Sequence, residues 1–204
     1  MAVFIDAKDQ KTLACEVKME QKLILASGSP RRKELLSQLG YQFSVIRTDV
    51  EESQSLGETP IQYVERLSQD KALAGLEIES DAVVIGSDTI VVCDSRVMEK
   101  PNNLDQAKQM LMLLSNRAHQ VMTAVTIVSS EQQETIVVTT DVWFKPLSEE
   151  EIEQYWQTGE PCDKAGAYGI QGIGGRFVTR IEGSYHAVVG LPLFETDQLL
   201  HKFL

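Results

Sequence analysis

Three consecutive cations lie in the segment SGSPRRKE, at residues 27–34. The Ser-Pro pair is typical of a helix N-cap and first turn, which places Arg31, Arg32 and Lys33 at a helix end that is already electropositive. Each cation is disfavoured there by roughly 0.3–1 kcal/mol. Either the side chains extend into water, where screening removes most of this cost, or an anionic ligand supplies the missing negative charge.

The groups around these cations fit an anion site. The predicted first turn offers backbone N–H groups, the hydroxyls of Ser27 and Ser29 and forked guanidinium groups, while Gly28 lets a ligand approach the backbone. A phosphate group matches this set of donors best. The helix itself is predicted from Pro30 to about Leu39.

Candidate carboxylates lie in two other segments. Asp88 follows an apolar run in DAVVIGSDTIVV, which predicts a Gly-Ser-Asp turn at a strand end, a usual place for chemistry in mixed α/β folds. An aspartate that bonds its own backbone in a turn explains the residue equally well. The run TDVEES offers Asp49, Glu51 and Glu52, enough oxygen ligands for Mg²⁺ or Mn²⁺ beside a polyphosphate, although acidic runs are more often solvated surface.

Two lysines and a glycine-rich stretch complete the candidates. Lys71 lies within a predicted helix and Lys100 precedes a proline in an extended segment, and either lysine by itself is typical of a solvated surface. Residues 159–175 hold six of the thirteen glycines and predict a shaped loop that presses against another group. The next segment, GSYHAVVGLPL, predicts a return to a strand with Gly183 and Ser184 at its start.

Runs rich in branched residues predict the strands that must position these side chains. They lie at 22–26, 42–46, 82–85, 89–93, 120–129, 134–144, 176–181 and 186–189. Helical patterns lie between them, and three capping pairs mark helix starts: Thr59 and Gln62, Asn103 and Gln106, and Ser148 and Glu151. The segment LFETDQLLHKFL predicts a closing helix. Helices interleaved with strands, followed by a meander of strands, predict an α/β fold with a mixed twisted sheet flanked by helices.

Composition limits the classes of function. The 204 residues, 43% hydrophobic and 24% charged, suit one globular domain, and the net charge of −11 argues against general nucleic-acid binding. Three scattered cysteines and three histidines form neither a CxxC pair nor an HExxH motif, which argues against a zinc site and a disulfide framework. Without an apolar run of signal-peptide or membrane-span length, the expected location is the cytoplasm. We divide the chain into an amino-terminal extension, residues 1–20, and one domain, residues 21–204.

Seven ordered motifs resemble those of the Maf family of nucleoside triphosphate pyrophosphatases. They are LASGSPRRKELL, DVEE, LSQDKA, GSDTIVV, EKP, GEPCDKAGAYGIQG and GSYHAVVGLPL, and they extend from about residue 23 to the last residue. The resemblance implies a fold related to that of the inosine triphosphate pyrophosphatases, with two lobes around a cleft. It also implies a homodimer that needs a divalent metal cation, Mg²⁺ or Mn²⁺, and splits a nucleoside triphosphate into the monophosphate and pyrophosphate.

The same resemblance implies roles for ten residues. The catalytic set it implies is Asp88, Glu52, Lys71, Lys100 and Gln171, with Asp88 and Glu52 also holding the metal. The substrate-binding set it implies is Ser27, Ser29, Arg31, Arg32 and Lys164.

The motifs SPRR, GSDT, EKP and AYGIQG look like the branch of the family that acts on dTTP and UTP. Two alternatives stay open. One is hydrolysis of 7-methyl-GTP, and the other is a nucleotide-binding inhibitor of septum formation that needs no hydrolysis.

Overall fold

The computed structural model describes residues 21–204, and the predicted extension at residues 1–20 lies outside the described residues. Its strands are β1 (Leu23–Ala26), β2 (Ser44–Ile46), β3 (Val83–Cys93), β4 (Arg96–Met98), β5 (Ala118–Val128), β6 (Gln133–Phe144) and β7 (Val178–Glu182). They form one seven-stranded sheet in the order β2-β1-β3-β5-β6-β7, and β4 pairs with β3. β1 is parallel to β2 and β3, whereas β3, β5, β6 and β7 are antiparallel to their neighbours. The prediction of a mixed sheet is confirmed.

Within residues 21–204, six α-helices flank this sheet. They are α1 (Pro30–Gln38), α2 (Pro60–Ile78), α3 (Leu104–Leu114), α4 (Glu149–Gln157), α5 (Tyr185–Val189) and α6 (Leu193–Leu200). The predicted N-caps of the first four are confirmed, because Ser29, Thr59, Asn103 and Ser148 each accept a backbone N–H three residues ahead. At α2 the capping box is complete. No helix within residues 21–204 combines the length and apolar character needed to cross a bilayer.

The predicted Gly-Ser-Asp turn is wrong, because Val83–Cys93 form one continuous strand. Gly86 lies in this strand for a different reason. A Cβ there would lie 2.2 Å from the carbonyl oxygen of Ser68 and 2.5 Å from the amide nitrogen of Ala72, both on α2. The glycine therefore lets the helix approach the strand, and Asp88 projects from the middle of β3 rather than from its end.

Helix α2 covers one face of the sheet. Its buried face includes Tyr63, Val64, Leu67 and Ala72, and the two apolar clusters beneath it join β1, β3 and β5. Two other apolar residues of this helix, Ile61 and Leu73, are exposed. The buried face instead includes Lys71, which lies next to Ala72.

The opposite face carries two separate apolar clusters. One packs α1 and α6 against the β1 side of the sheet, around Leu25, Leu36 and Leu200. The other packs α3, α4 and the glycine-rich loop against the far halves of β3, β5 and β6, around Leu111 and Tyr155. The space between these two clusters is where the polar candidates converge.

The segment from residue 159 to residue 190 differs from the prediction in one respect. The glycine-rich stretch is an irregular loop, as predicted, with 3₁₀ turns at Glu160–Asp163, Ala165–Ala167 and Ile173–Phe177. The strand predicted at residues 186–189 is wrong, because this segment is the short helix α5. Ser184 caps α5 by accepting the N–H of Ala187, which accounts for a helix despite two adjacent valines.

Candidate active site

A cleft of about 620 Å³ lies between the two apolar clusters, and all ten predicted site residues line it. Its position follows from the different lengths of the strands. On one edge β3 pairs with β1 over residues 83–86 and with β4 over residues 91–93. Within the described part of the chain, residues 87–90 have no strand partner on that edge, and the cleft opens at this gap.

Arg32 is held rigidly at the floor of the cleft. Its Nε donates to the carbonyl of Gly190 at 2.8 Å, Nη2 donates to Thr89 Oγ1 at 3.0 Å, and Nη1 donates to Ser27 Oγ at 3.4 Å. Thr123 donates to the carbonyl of Ala187, so the hydroxyl of Thr89 donates to Thr123 and accepts from Arg32. The guanidinium is therefore oriented before any ligand binds.

Burial of this guanidinium lowers the pKa of Arg32, and the nearby carboxylate of Asp88 partly offsets the shift. A half-buried cation without a direct carboxylate partner is costly, and an anion that enters the cleft would relieve that cost.

Arg31 points the other way, toward the glycine-rich loop. Its Nη1 lies 3.8 Å from Asp163 Oδ2, and Asp163 also bonds the ammonium of Lys164. These contacts link the first turn of α1 to the loop across the mouth of the cleft. The two adjacent arginines therefore have different partners, Arg32 neutral oxygens and Arg31 the carboxylate of Asp163.

A chain of alternating charges forms the opposite wall. Lys71 Nζ lies 2.6 Å from Asp88 Oδ1 and 2.6 Å from Glu52 Oε1, and Lys100 Nζ lies 3.2 Å from Glu52 Oε2. Lys71 and Asp88 are each only 8% exposed. Burial alone would raise the pKa of Glu52, but the hydrogen bonds and charges of Lys71 and Lys100 outweigh it and lower that pKa. Glu52 is thus held in its charged form by the two lysines.

The other two acidic residues of the run TDVEES do not reach the cleft. Asp49 and Glu51 are absent from its lining, and Glu51 instead accepts a hydrogen bond from Ser53. Of the three carboxylates in this run that were candidates for metal binding, only Glu52 lines the cleft.

The donor set around Asp88 suits a hard divalent cation. Within residues 21–204 no three His, Cys, Asp or Glu side chains gather in a metal-binding group. Mg²⁺ in nucleotide enzymes, however, commonly uses only one or two carboxylates together with substrate phosphates and water. Glu52 and Asp88 are held on one wall by Lys71, and Asp88 Oδ2 has no hydrogen-bond partner among the described residues. Two carboxylates beside a phosphate site therefore fit this cation.

The glycine-rich loop supplies the remaining wall. Gln171 is exposed and lines the cleft, and so does Tyr168, whose ring is buried. The hydroxyl of Tyr168 lies 2.9 Å from His119 Nε2, and the two rings pack edge to face with Phe144. Tyr168 is thus fixed in place and presents part of its ring to the cleft.

Sequence reasoning missed several residues that shape the site. Thr89 contacts Arg32, and its signal was its place directly after Asp88 in the same motif. The hydroxyl of Tyr63 donates to the carbonyl of Glu52 at 3.0 Å. Nothing in the sequence indicated this contact, because an aromatic residue on the buried face of a helix is typical of an ordinary core position. Glu160 also lines the cleft, and only its position within the glycine-rich stretch pointed to it.

Comparisons with known proteins agree on one family. A family model described as Maf-like protein matches residues 22–203. A protein of Vibrio parahaemolyticus is 68% identical over 189 residues, which are 92% of this chain and 100% of that protein. One of Vibrio cholerae is 68% identical over 183 residues (89% and 98% of the two chains), and one of Pseudoalteromonas translucida is 53% identical over 187 residues (91% and 99%). Each of the three is named dTTP/UTP pyrophosphatase.

Proposed function

Because the chain belongs to the Maf family, we propose that it is a nucleoside triphosphate pyrophosphatase that hydrolyses dTTP and UTP between the α- and β-phosphates. The observation that carries the proposal is the convergence of five basic side chains with Asp88 and Glu52 in one cleft. Phosphoanhydride hydrolysis needs this combination, because its transition state spreads negative charge over phosphate oxygens while a water molecule must be activated.

The basic residues would bind the triphosphate. Arg32 offers its remaining N–H groups from a fixed orientation, and Arg31 and Lys164 would exchange their contact with Asp163 for phosphate oxygens. Ser27 and Ser29 lie at the start of α1, where their hydroxyls accept the backbone N–H groups of Ser29 and Arg32 and would donate their own protons to a phosphate oxygen. Binding energy of this kind places the α-phosphorus beside the opposite wall.

Asp88 would orient and deprotonate the attacking water. Its Oδ1 accepts from Lys71, so its Oδ2 is the oxygen available to the water. The water oxygen forms a bond to the α-phosphorus, its proton passes to Asp88, and the bond from the α-phosphorus to the bridging oxygen breaks. Lys71 and Lys100 would neutralise the charge of the departing pyrophosphate.

Asp88 and Glu52 would also hold Mg²⁺ or Mn²⁺ next to the phosphates. When bound, such a cation would neutralise charge on phosphate oxygens and favour deprotonation of a nearby water. Gln171 would contact the base, because its amide offers both a donor and an acceptor to the edge of a pyrimidine. A homodimer and a cytoplasmic location belong to the same proposal, and only the family resemblance supports them.

The test is pyrophosphate release from a panel of triphosphates at fixed Mg²⁺, repeated with EDTA. We expect turnover of dTTP and UTP above that of purine triphosphates, and loss of turnover in EDTA. A clear preference for a purine triphosphate, 7-methyl-GTP included, would contradict the pyrimidine assignment. Nucleotide binding without pyrophosphate release would instead favour a septum inhibitor that binds nucleotide.

A further inference from the structure

The carboxylate of Glu160 is enclosed by the glycine-rich loop. Its Oε2 accepts the backbone N–H of Ile173 at 2.8 Å, and its Oε1 accepts the backbone N–H of Gly174 at 3.0 Å. Oε1 also accepts the hydroxyl of Tyr155 at 2.7 Å. Two of these three hydrogen bonds come from the backbone of the loop. The carboxylate therefore holds that backbone in place.

Tyr155 extends this network to the other end of the loop. Its hydroxyl donates to Glu160 and accepts the backbone N–H of Gly169 at 3.1 Å. The segment from Gly169 to Gly174 is therefore held at both ends by one carboxylate and one phenol. Gln171 lies in the middle of this segment and lines the cleft.

Two glycines of the loop are explained by this network of Glu160 and Tyr155. A Cβ at Gly172 would lie 2.2 Å from Glu160 Oε2, and a Cβ at Gly174 would lie 2.5 Å from the hydroxyl of Tyr155. The backbone can wrap these groups only where it carries no side chain. Gly172 and Gly174 thus reflect close packing around Glu160 and Tyr155 rather than general flexibility.

Glu160 keeps its negative charge within this enclosure. Burial alone would raise the pKa of Glu160, but the hydrogen bonds from Gly174, Tyr155 and Ile173 outweigh burial and lower that pKa. Its oxygens are occupied by loop donors, so this carboxylate serves the loop rather than a cation.

We propose that Glu160 is a positioning residue that sets base selectivity by holding Gln171 in place. The proposal rests on the function proposed above, and it assigns Glu160 no contact with the phosphates or the reacting water. Glu160→Gln replaces one acceptor oxygen with an amide that faces backbone N–H donors, so the loop loses its anchor while the side chain keeps its size.

The kinetic test is a double-mutant cycle with Gln171→Ala. The quantity measured is the ratio of kcat/KM for UTP to kcat/KM for CTP, because these bases differ only at the edge that an amide can read. We expect Glu160→Gln to lower this ratio about tenfold in the native background. In the Gln171→Ala background we expect no further change, since the group that Glu160 positions is already gone.

A lowered ratio in both backgrounds, or in neither, would overturn the proposal. Equal activity of the native protein on UTP and CTP would overturn it as well. Dissociation constants of α,β-methylene analogues of UTP and CTP give the same ratio without hydrolysis. Selectivity in binding therefore remains measurable even if the proposed activity is absent, and the two failures are distinguishable.

Amide hydrogen exchange tests the structural step directly. In Glu160→Gln and in Tyr155→Phe, we expect faster exchange at Gly169, Ile173 and Gly174 by at least about tenfold, with the amides of β5 unchanged. Unchanged exchange in the loop would overturn the proposal, and faster exchange in β5 would show that the variant is globally unstable. Tyr155→Phe then serves as the milder variant, since it removes one oxygen only.

Glu153→Gln is the matched control. Glu153 lies on α4, pairs with Lys108 and does not line the cleft. This variant loses a glutamate charge close to the loop without touching it, so both the UTP-to-CTP ratio and the loop exchange rates should equal those of the native protein.

Discussion

Lys71 is the residue on which the charge balance of the cleft depends. Its ammonium contacts both Asp88 and Glu52 at 2.6 Å, although the residue is 8% exposed. A lysine is rarely so buried unless it is paired. Without it, the buried carboxylate of Asp88 would lose the cation that pairs with it directly. Lys71 thus supplies the positive charge that pairs with both carboxylates of this wall.

Asp88→Asn tests the residue assigned to water activation. The amide keeps the size of the side chain but cannot accept a proton, so we expect kcat to fall by at least about 100-fold at saturating Mg²⁺ and UTP. Initial rates of pyrophosphate release measure the effect. The control is Asp94→Asn, whose carboxylate is exposed and pairs with Arg117. Substantial residual turnover in Asp88→Asn would remove Asp88 from this role.

Arg32→Lys tests the oriented guanidinium. A lysine cannot donate at once to Gly190, Thr89 and Ser27, which the three nitrogens of Arg32 reach. We expect KM for UTP to rise at least about tenfold. Arg180→Lys, at an exposed position on β7, should leave KM unchanged. Equal KM values for Arg32→Lys and the native protein would show that orientation by these three groups is unimportant.

His119 predicts a pH dependence of stability. Burial lowers its pKa from 6.5 to about 4, so the folded state keeps the ring neutral while the unfolded state protonates it below about pH 6.5. The folded pKa is the lower one, so stability is complete above pH 6.5 and declines as pH falls toward 4. Between pH 8 and 5 the free energy of unfolding should fall by about 2 kcal/mol from this residue.

Urea denaturation at a series of pH values measures that decline. His119→Gln has no group that titrates at this position, so its stability should vary less with pH over the same range. Parallel profiles for the native protein and the variant would contradict the assignment to His119.

At the scale of elements, the packing of α2 on β3 places Lys71 against Asp88. Gly86→Ala would put a Cβ 2.2 Å from the carbonyl oxygen of Ser68 and 2.5 Å from the amide nitrogen of Ala72. The helix must shift, at a cost of about 1–3 kcal/mol in unfolding free energy. Because Lys71 precedes Ala72, we also expect a lower kcat for UTP.

Thermal unfolding and pyrophosphate release measure the two effects of Gly86→Ala. Gly28→Ala is the control for stability, since its Cβ would approach no atom closer than 3.6 Å and should leave the unfolding free energy unchanged. A Gly86→Ala protein as stable as the native one would show that α2 does not depend on this close approach.

Local signals in the sequence predicted most elements. The N-caps of the first four helices depend on residues three apart, and β5 and β6 are long branched runs, so no distant partner is needed to recognise them. The predicted turn at Gly86 was wrong, because the sequence does not distinguish a glycine that lets a helix pack closely on a strand from a glycine in a turn. The segment 186–189 misled the prediction because two valines favour a strand, whereas the cap at Ser184 and the packing of the segment make a helix.

The candidate site was found through motifs rather than through periodicity. Lys71 by itself resembles a surface lysine, since its partners lie 17 and 19 positions away in the chain and only the fold joins them. The enclosure of Glu160 could not be predicted either. A glycine-rich stretch does not indicate which side chain its backbone surrounds. The roles of the ten residues remain predictions, although one cleft gathers them all.

At the scale of the whole molecule, charge is distributed unevenly. The chain carries a net charge of −11, but the cleft is lined by five basic side chains and four acidic ones. A triphosphate therefore meets repulsion over most of the surface and attraction at one place. This contrast favours small polyanions that fit inside the cleft over nucleic acids that must spread across the surface.

Nucleotide binding should therefore stabilise the fold. The α,β-methylene analogue of UTP with Mg²⁺, at about 100 times its dissociation constant, should raise the free energy of unfolding by about 2.7 kcal/mol. The double variant Arg31→Ala, Arg32→Ala should gain less at the same concentration, because it binds the triphosphate more weakly. Thermal shift assays measure both, with Arg96→Ala, Arg180→Ala as a surface control. An equal gain in both double variants would contradict the phosphate-binding role.

The gap along β3 has a consequence beyond ligand binding. Residues 87–90 form a stretch of strand edge, and exposed strand edges in other proteins recruit strands from neighbouring chains and start aggregation. Here the edge is recessed behind the first turn of α1 and the glycine-rich loop, and charged side chains surround it. The protein thus keeps unpaired backbone groups available to a small ligand while denying them to another polypeptide, which is a safeguard against misassembly in a crowded cell.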